Sequence, residues 1–164
     1  MSGSWHYDSP LGGITLAAED DALTGLWFDG QKYFGGPAGS PGARCWLPVF
    51  GEACRWLDIY FGGRDPGFVP RLALRTTAFR RSVLEELLDI PFGQTRSYGE
   101  IARRIAARSG RASMSAQAVG GAVGHNPVSL IIPCHRVVGS DGSLTGYAGG
   151  TGRKLRLLRM EQGI

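Results

Sequence analysis

A short run of glycine and proline constrains how this chain can fold more than any other feature. Residues 62–67 read Gly-Gly-Arg-Asp-Pro-Gly, and such a run ends regular structure because proline lacks a backbone donor and glycine leaves the backbone unrestricted. The break predicts two units in the 164-residue chain. They are an N-terminal domain over residues 1–70, with a linker at about residues 62–75, and a C-terminal domain over residues 76–164. A chain of this length suits one medium domain or two small ones.

The two predicted units carry opposite net charges. Up to Leu74 the sequence has five Lys and Arg residues and eight Asp and Glu residues, a net charge of −3. From Arg75 onward it has thirteen Lys and Arg residues and six Asp and Glu residues, a net charge of +7. A basic C-terminal half indicates that a polyanion contacts the second unit. On charge alone, a solvated basic face with no partner explains the asymmetry equally well.

The composition predicts a cytoplasmic protein with reduced thiols. The sequence has no run of about eighteen apolar residues that would span a membrane, and its first residues lack the basic start and apolar core of a signal peptide. Cys45, Cys54 and Cys134 make an odd count, which is a poor basis for a disulfide framework. Free thiols in a reducing compartment are expected. A zinc site at Cys45 and Cys54 stays open, although no histidine lies near them in the sequence.

Patterns in the N-terminal unit predict a β-hairpin followed by a helix. Apolar runs at residues 14–18 and 23–28 flank the acidic turn Glu19-Asp20-Asp21, which is typical of a hairpin. Over residues 47–61, apolar side chains recur at helical spacing. A small α/β unit is expected.

The C-terminal unit is predicted to be mostly helical. Thr77 is placed to cap a helix that Pro91 ends, and Ser97-Tyr98-Gly99-Glu100 forms a capping box for a second helix. Another short helix, over residues 116–123, follows a loop containing Gly110. Two short helices joined by such a loop in a basic region suggest a helix-turn-helix, although many small helical pairs bind nothing.

Two glycines inside the predicted helix over residues 116–123 need an explanation. Gly120 and Gly121 each cost about 1 kcal/mol relative to alanine in the middle of a helix. A surface that must approach the helix very closely, such as a groove wall, would justify that cost. Close packing against another helix in the core would justify it equally well.

The segment Ile131–Val138 reads Ile-Ile-Pro-Cys-His-Arg-Val-Val and sets one cysteine beside a histidine and an arginine. A cysteine thiol titrates near ~8.5 in water, so little thiolate, the nucleophilic form, is present at neutral pH. A neighbouring base or positive charge raises that fraction. Taken alone, Cys134 and His135 fit a buried structural cysteine on a strand better than a reactive one.

Further motifs of the C-terminal unit decide between these interpretations. They are Ser97-Tyr98-Gly99-Glu100-Ile101-Ala102, Ala118-Val119-Gly120-Gly121-Ala122, Asn126-Pro127, Pro133-Cys134-His135-Arg136, Gly146-Tyr147 and Lys154. In order and spacing, from Thr77 to Glu161, they resemble the O6-alkylguanine-DNA alkyltransferases. The N-terminal unit is similar only in its size and α/β pattern. The resemblance implies an α+β fold: a small N-terminal α/β domain, ribonuclease H-like, and a mostly helical C-terminal domain with a helix-turn-helix for DNA binding and alkyl transfer.

Members of this family move an alkyl group from guanine O6 to their own cysteine, once per molecule. The resemblance implies that Cys134 accepts the alkyl group, that His135 acts as its base through a water molecule, and that Glu161 orients the histidine. The sequence supports the last role independently. In a helix over residues 153–162, Glu161 lies on the apolar flank, where a carboxylate is costly unless a partner such as an imidazole satisfies it. A glutamate fraying at the last turn is the alternative.

The resemblance also gives roles to side chains around the cysteine. Tyr98 resembles the tyrosine that crowds the target phosphate and donates to the guanine, and Tyr147 resembles the residue that stacks near the flipped base and stabilises its departing oxygen. Lys154 matches a lysine that supports this loop and the charge near the cysteine. Asn126 resembles a hinge asparagine between the recognition helix and the cysteine strand. Arg136 is expected to be structural or to face a phosphate. The alternative is that neither tyrosine has a functional role, Tyr98 being an aromatic residue on a helix face and Tyr147 one in a loop.

The resemblance implies a DNA-contacting surface made of residues of the second helix of the pair together with two others: Gln117, Ala118, Gly121, Ala122, Tyr98 and Arg136. At Gln117 the family usually carries an arginine that fills the gap left by the flipped base. Glutamine is shorter and uncharged, which predicts weaker or slower lesion capture without loss of chemistry. Arg108 and Arg111 are candidates to compensate. Ala148 lies where many members have a small hydroxyl residue, so the hydrogen bond that such a hydroxyl makes to the base is left open.

The resemblance therefore implies direct-reversal DNA repair by a single-turnover transferase. Its expected partner is double-stranded DNA containing O6-alkylguanine, bound in the minor groove largely without sequence preference, and the protein is expected to be a monomer with no metal or organic cofactor. The main alternative is a non-catalytic protein that binds alkylated DNA; the presence of Cys134 argues against it and Gln117 leaves it open. A cysteine hydrolase has no need of the basic helix pair. A helix-turn-helix regulator would need base-reading side chains that Ala-Val-Gly-Gly-Ala does not supply.

Overall fold

The computed structural model describes residues 1–36 and 40–164, and its contacts divide the chain into two units. The first unit comprises residues 1–75, 127–129 and 163, and the second comprises residues 76–126, 130–162 and 164. Within the described ranges, no helix is long and apolar enough to span a membrane.

The first unit is built on an antiparallel sheet of three strands. These are β1 (Ser2–Ser9), β2 (Gly12–Glu19) and β3 (Ala22–Phe28), paired in the order β1-β2-β3. The predicted hairpin is confirmed as β2 and β3, with Asp20 in its turn at a positive φ of 53°, a conformation that aspartate tolerates better than most residues. Strand β1 has no counterpart among the predicted elements because only Trp5 and Tyr7 of its eight residues are large and nonpolar, too few to mark an alternating run.

Helix α1 (Pro48–Phe61) and a returning segment complete the first unit. Proline at the first helical position has no amide to leave unsatisfied, and the buried side of the helix consists of Val49, Phe50, Ala53, Trp56, Leu57 and Tyr60. Residues 127–129 pair with β3, since the Leu26 amide donates to the Pro127 carbonyl at 2.9 Å and the Ser129 amide donates to the Leu26 carbonyl at 3.0 Å.

The second unit is mostly helical, as predicted. It contains α2 (Ala78–Leu88), α3 (Tyr98–Ser109), α4 (Ala116–Gly124) and α5 (Thr151–Glu161), with a short parallel pair formed by β4 (Arg96–Ser97) and β5 (Val137–Val138). The predicted caps are present. The Thr77 side chain accepts from the Arg80 amide at 3.2 Å, and Ser97 and Glu100 form the reciprocal capping box of α3.

Helices α2, α3 and α4 pack against one another around an aliphatic core. Its members include Val83, Leu84, Leu87, Ile101, Ile105, Val119 and Val123, all at most 4% exposed. Gly110 ends α3 with a φ of 70°, a left-handed conformation that glycine adopts without a steric penalty. The turn between α3 and α4 therefore has a local cause in the sequence.

The segment around Cys134 differs from the strand expected there. Residues Cys134–Arg136 form a single 3₁₀ turn, and the strand β5 begins only after it. Pro133, at φ −81° and ψ 66°, produces an inverse γ-turn in which the Cys134 amide donates to the Ile132 carbonyl at 2.8 Å. The turn takes the cysteine out of the strand that the β-branched neighbours suggested.

Candidate active site

Cys134 is the last residue of the γ-turn and is only 4% exposed. The Ile132 carbonyl, which accepts the Cys134 amide, also accepts a hydrogen bond from Nδ2 of Asn126 at 2.8 Å. Asn126 directly follows α4 and its C-cap. The asparagine side chain therefore ties the end of α4 to the backbone that positions the sulfur, a contact in the place where the resemblance put a hinge.

A buried network of three charged or polar side chains adjoins the cysteine. Nε2 of His135 lies 2.6 Å from Oε2 of Glu161, and both side chains are fully buried. Arg136 donates to the same carboxylate through Nε, 2.8 Å from Oε1, and through Nη2, 3.2 Å from Oε2. The Gly93 amide adds a donor 3.0 Å from Oε1. The carboxylate that the sequence placed on the apolar flank of the last helix thus has donors on both oxygens.

The network fixes the protonation states of its members. Burial alone would raise the pKa of Glu161, but the hydrogen bonds and positive charges of His135 and Arg136 outweigh it and lower the pKa to about 2. Burial lowers the pKa of His135 below its usual value, against the opposing pull of Glu161 and with help from the charges of Arg136 and Lys154. At neutral pH the imidazole is therefore neutral. Because an ionised carboxylate faces Nε2, the ring proton is assigned to Nε2 and Nδ1 is the basic nitrogen.

Arg136 is a structural residue and does not face a phosphate. It is 7% exposed, and its Nη1 donates to the Ile90 carbonyl at 2.7 Å. Its guanidinium also lies 5.6 Å from the centre of the Phe92 ring. The expectation that Arg136 contacts DNA is wrong for this structure, because the side chain is buried and all three of its nitrogens donate to groups of the second unit.

Tyr98 and Lys154 meet at one backbone carbonyl. The Tyr98 hydroxyl donates to the Thr145 carbonyl at 3.1 Å, and Nζ of the fully buried Lys154 donates to the same oxygen at 2.9 Å. Burial, and then the charge of a Cys134 thiolate, raise the pKa of Tyr98, while the hydrogen bond to Thr145 opposes them. Burial lowers the pKa of Lys154, and Cys134 opposes that shift. Both side chains thus respond to the charge on the sulfur.

Tyr147 is the second hydroxyl near the sulfur. It is 8% exposed, and its ring stands edge-on to His135 with 6.5 Å between the ring centres. Its pKa is raised well above the usual value, first by burial and then by the charge of Cys134. Among residues 1–36 and 40–164, nothing accepts from or donates to its buried hydroxyl. A buried hydroxyl without a partner costs free energy, so this atom is suited to contact a substrate.

The loop before Tyr147 depends on one glycine. Gly146 has a φ of 69°, and a Cβ added there would lie 3.3 Å from the Tyr98 hydroxyl. A side chain at this position would be strained in its backbone and would press on Tyr98. Gly146 therefore lets the loop approach the first turn of α3.

Helix α4 presents only part of the predicted contact surface. Gln117, Ala118 and Gly121 are exposed, whereas Ala122 is 3% exposed and belongs to the side that packs on α2 and α3. The prediction that Ala122 contacts DNA is wrong because that residue lies in the core. No described atom outside the helix lies within 4 Å of a Cβ added at Gly121, and at Gly120 the Tyr98 ring is at an ordinary 3.9 Å. Packing inside the protein therefore does not require either glycine.

Of the two arginines considered as substitutes near Gln117, one is already engaged. Nη1 of Arg108 lies 2.6 Å from the buried Glu86, and Nη2 lies 3.9 Å from Glu85. Arg111 has no ion pair or side-chain hydrogen bond within the described part of the chain. Of these two side chains, Arg111 alone keeps its guanidinium available for a ligand in the described part of the chain.

Several functional contacts come from the backbone and have no signal in the sequence. They are the carbonyls of Ile90, Ile132 and Thr145 and the amide of Gly93. In the described residues, no group of three or more His, Cys, Asp and Glu side chains is arranged to hold a metal ion, and Cys45 and Cys54 are free, half-buried cysteines.

Two family models match the chain almost end to end. The model described as "6-O-methylguanine DNA methyltransferase, ribonuclease-like domain" matches residues 6–74, and the model described as "6-O-methylguanine DNA methyltransferase, DNA binding domain" matches residues 78–163. The predicted fold class, a ribonuclease-like domain followed by a mostly helical DNA-binding domain, is confirmed.

Similar proteins with curated names are methylated-DNA–protein-cysteine methyltransferases. That of Mycobacterium tuberculosis (strain H37Rv) is 45% identical over 163 residues, covering 96% of this chain and 92% of the relative. That of Mycobacterium leprae is 44% identical over 158 residues, covering 94% and 89%.

Solved structures agree with these relatives. The crystal structure of M. tuberculosis O6-methylguanine methyltransferase has a TM-score of 0.85 and 43% identity, covering 99% of this chain and 94% of that one. The structure of the M. tuberculosis protein OGT in complex with DNA has a TM-score of 0.85 and 42% identity, covering 98% and 93%. On these matches, the chain belongs to the 6-O-methylguanine DNA methyltransferase family.

Proposed function

We propose that this protein repairs DNA directly by transferring an alkyl group from O6 of guanine to Sγ of Cys134. The observation that carries the proposal is the buried His135–Glu161 pair, 2.6 Å apart, beside a nearly buried cysteine in a family of methylated-DNA–protein-cysteine methyltransferases. The product is a thioether, which offers no leaving group that would restore the thiol. Each molecule therefore acts once.

His135 supplies the base. With its proton on Nε2 facing ionised Glu161, the neutral imidazole takes the thiol proton at Nδ1, through a water molecule. The imidazolium that results is stabilised by Glu161, in the way that a buried carboxylate stabilises the histidine of other nucleophile–base pairs. Arg136 and Gly93 hold the carboxylate in place.

The thiolate then displaces guanine from the alkyl carbon in line. The new bond joins Sγ to that carbon, the bond between the carbon and O6 breaks, and its electron pair stays on O6. A proton donated by Tyr98 neutralises the guanine, and the imidazolium proton restores the tyrosine. The products are neutral guanine and S-alkylated Cys134.

Tyr98, Lys154 and Tyr147 have different roles around the departing oxygen. The Tyr98 hydroxyl leaves the Thr145 carbonyl to reach the base, and Lys154, which donates to the same carbonyl, keeps that oxygen satisfied. The buried hydroxyl of Tyr147 contributes a second donor to the developing charge. The raised pKa values of both tyrosines keep them protonated until the step occurs.

The target nucleotide is turned out of the duplex. O6 of guanine lies on the major-groove edge inside the base stack, and Cys134 is too deeply buried to reach it there. We assign the recognition role to α3 and α4 as a helix-turn-helix, with the exposed side of α4 in the minor groove. Gln117 supports the gap in the stack less well than an arginine would, because it has neither charge nor a guanidinium plane.

The protein is proposed to act as a monomer in the cytoplasm and to need no cofactor. One chain carries the nucleophile, its base, the orienting carboxylate and the helix pair. The free cysteines fit a reducing compartment.

The decisive experiment is intact mass spectrometry of the protein after mixing with duplex DNA containing O6-methylguanine, followed by peptide mapping. We expect a mass gain of one methyl group, confined to the peptide of Cys134, at a stoichiometry of one. Binding of the lesion without a mass gain would instead identify a non-catalytic recognition protein. Repeated turnover of the substrate would identify a hydrolase.

A further inference from the structure

A cationic cleft opens on the second unit between α3 and the loop that leads to α4. Its volume is about 360 Å³, and its lining includes Arg103 of α3, Arg111 and Met114 of the loop, and Ala116, the first residue of α4. Small residues make up most of the remaining wall, so the cleft is open enough to admit a group as large as a phosphodiester.

The charge of the cleft is not balanced by the protein. Its lining contains no Asp or Glu, and neither Arg103 nor Arg111 has an ion pair within residues 1–36 and 40–164. Arg108, on the same helix α3, contrasts with them because it is tied to Glu86. Two unpaired guanidinium groups in one concave surface focus a positive potential there.

The guanidinium of Arg103 lies where a cation is disfavoured. A Cβ added at Gly99, in the first turn of the 12-residue α3, would lie 3.3 Å from Nη1 of Arg103, so this guanidinium folds back toward the helix N-terminus. Helix N-termini carry a partial positive charge and favour anions. The first residue of α4 adds a second N-terminus to the same cleft. An anion in the cleft would relieve this concentration of positive charge.

We infer that this cleft binds a backbone phosphate of the DNA strand, outside the contacts that α4 makes in the groove. The inference rests on the proposed function. The cleft is continuous with the proposed interface, since Gly99 adjoins Tyr98 and Ala116 adjoins Gln117. We therefore expect a strand that contacts Tyr98 and Gln117 to pass the cleft. Arg103 and Arg111 thereby supply beside α4 the positive charge that Gln117 does not.

The test is the salt dependence of binding to an undamaged duplex. Arg103→Gln and Arg111→Gln are compared, singly and together, with wild type, and Arg104→Gln is the matched control because Arg104 is an exposed arginine of α3 outside the cleft lining. A phosphate contact contributes about 0.9 to the slope of log K against log salt. We expect each cleft variant to lower the slope by about that amount and the double variant by about twice as much. The control is expected to keep the wild-type slope.

Two results would overturn the inference. One is a double variant with the wild-type slope, and the other is an Arg104→Gln slope as low as that of the cleft variants, which would show a mere effect of net charge. A further arm follows the ¹⁵Nε resonances of Arg103 and Arg111. We expect them to shift with duplex DNA and to stay unchanged with inorganic phosphate at the same ionic strength. Equal shifts with inorganic phosphate would assign the cleft to a free anion and overturn its role on the strand.

Failure of this inference is distinguishable from failure of the proposed function. Methyl transfer from the free base O6-methylguanine does not use a strand, so the cleft variants are expected to keep the wild-type rate on it while they lose rate on a duplex at low protein concentration. If the wild type is methylated at Cys134 and the cleft variants keep the wild-type salt slope, only the inference about the cleft is overturned. If the wild type never gains mass but the cleft variants show the expected lower salt slopes, the proposed alkyl transfer is overturned and the phosphate-binding role of the cleft stands.

Discussion

Nε2 of His135 lies 2.6 Å from Oε2 of Glu161 in a pair whose side chains are fully buried. An imidazole held at one nitrogen by an ionised carboxylate has one tautomer and one ring orientation. The second ring nitrogen, Nδ1, is therefore the basic nitrogen of the ring. Arg136 stiffens the pair further by donating to both oxygens of Glu161.

Cys134→Ala is expected to abolish methyl transfer and to keep DNA binding. The side chain is small and buried, and none of the proposed DNA contacts involves it. Intact mass and a gel-shift titration with lesion-containing duplex measure the two properties. Cys54→Ala, at a half-buried position of α1, is the control and should transfer at the wild-type rate. Residual mass gain in Cys134→Ala would refute the assignment of the acceptor.

Glu161→Gln is expected to slow transfer by about 10²-fold, within the range that a positioned base contributes. The amide keeps the shape of the side chain but loses the charge that stabilises the imidazolium, and it leaves Arg136 without its anion. Single-turnover rates on lesion-containing duplex, read by mass, test this. Glu85→Gln, on the exposed side of α2, should leave the rate unchanged; an equal loss in both variants would mean that Glu161 acts only through general stability.

Arg136 is expected to set the pH range of transfer. Its charge helps to lower the pKa of His135 and of Glu161, and Lys154 is the other cation that acts on the imidazole. Arg136→Gln removes the charge, so the pKa of His135 rises and the acid limb of the rate–pH profile moves to higher pH. Arg136→Lys keeps the charge and should keep the limb near its wild-type position. A lower rate in Arg136→Gln with an unshifted limb would make Arg136 purely structural.

Acid is expected to destabilise the second unit in two stages. The pKa of His135 is lowered by burial, so stability that is complete above the usual histidine value of 6.5 declines as the pH falls below it. The pKa of Glu161 is lowered from 4.5 to about 2, so its contribution, about 3 kcal/mol, is present above 4.5 and is lost as the pH falls toward 2. Urea unfolding at several pH values between 7 and 2.5 measures both stages. Glu161→Gln should lack the second one, and a wild-type profile in that variant would contradict the assignment.

Gly121→Ala is expected to raise stability and to weaken DNA binding. A Cβ at Gly121 meets no atom outside the helix within 4 Å in the described structure, so the helix gains about 0.5–1 kcal/mol from the better helix former. If α4 lies close against a groove wall, the same methyl group separates the two surfaces. Gly152→Ala, an equally open glycine near the start of α5, should stabilise without loss of affinity. Unchanged affinity in Gly121→Ala would exclude close contact at that position.

Local signals in the sequence predicted most of the second unit. Thr77 and Ser97 cap their helices because the capping interaction spans only three residues. The same locality explains the confirmed hairpin of β2 and β3. The sequence also predicted that Glu161 has a partner, because an ionisable group on the apolar flank of a helix is costly unless another group pairs with it.

Other features of the site depend on contacts between distant residues and carry no such signal. Nη1 of Arg136 donates to the Ile90 carbonyl, 46 residues earlier in the chain, and nothing near Arg136 in the sequence indicates that contact. Ala122 and Gly121 differ in burial although both are small, because α4 has small residues on both sides and its composition does not mark which side is inward. The γ-turn at Pro133 overrides the β preference of its neighbours, since proline sets φ and removes a strand donor.

The 4% exposure of Cys134 has a consequence for the whole population of molecules. A sulfur that reacts once and is never regenerated is also lost when a stray oxidant or electrophile reaches it first. Access, together with thiolate character, sets how fast such losses occur. Under the proposed function, the residues that bury this sulfur determine how long an unreacted molecule stays active. The number of lesions that a cell can still repair then equals the number of molecules whose Cys134 sulfur has not yet reacted.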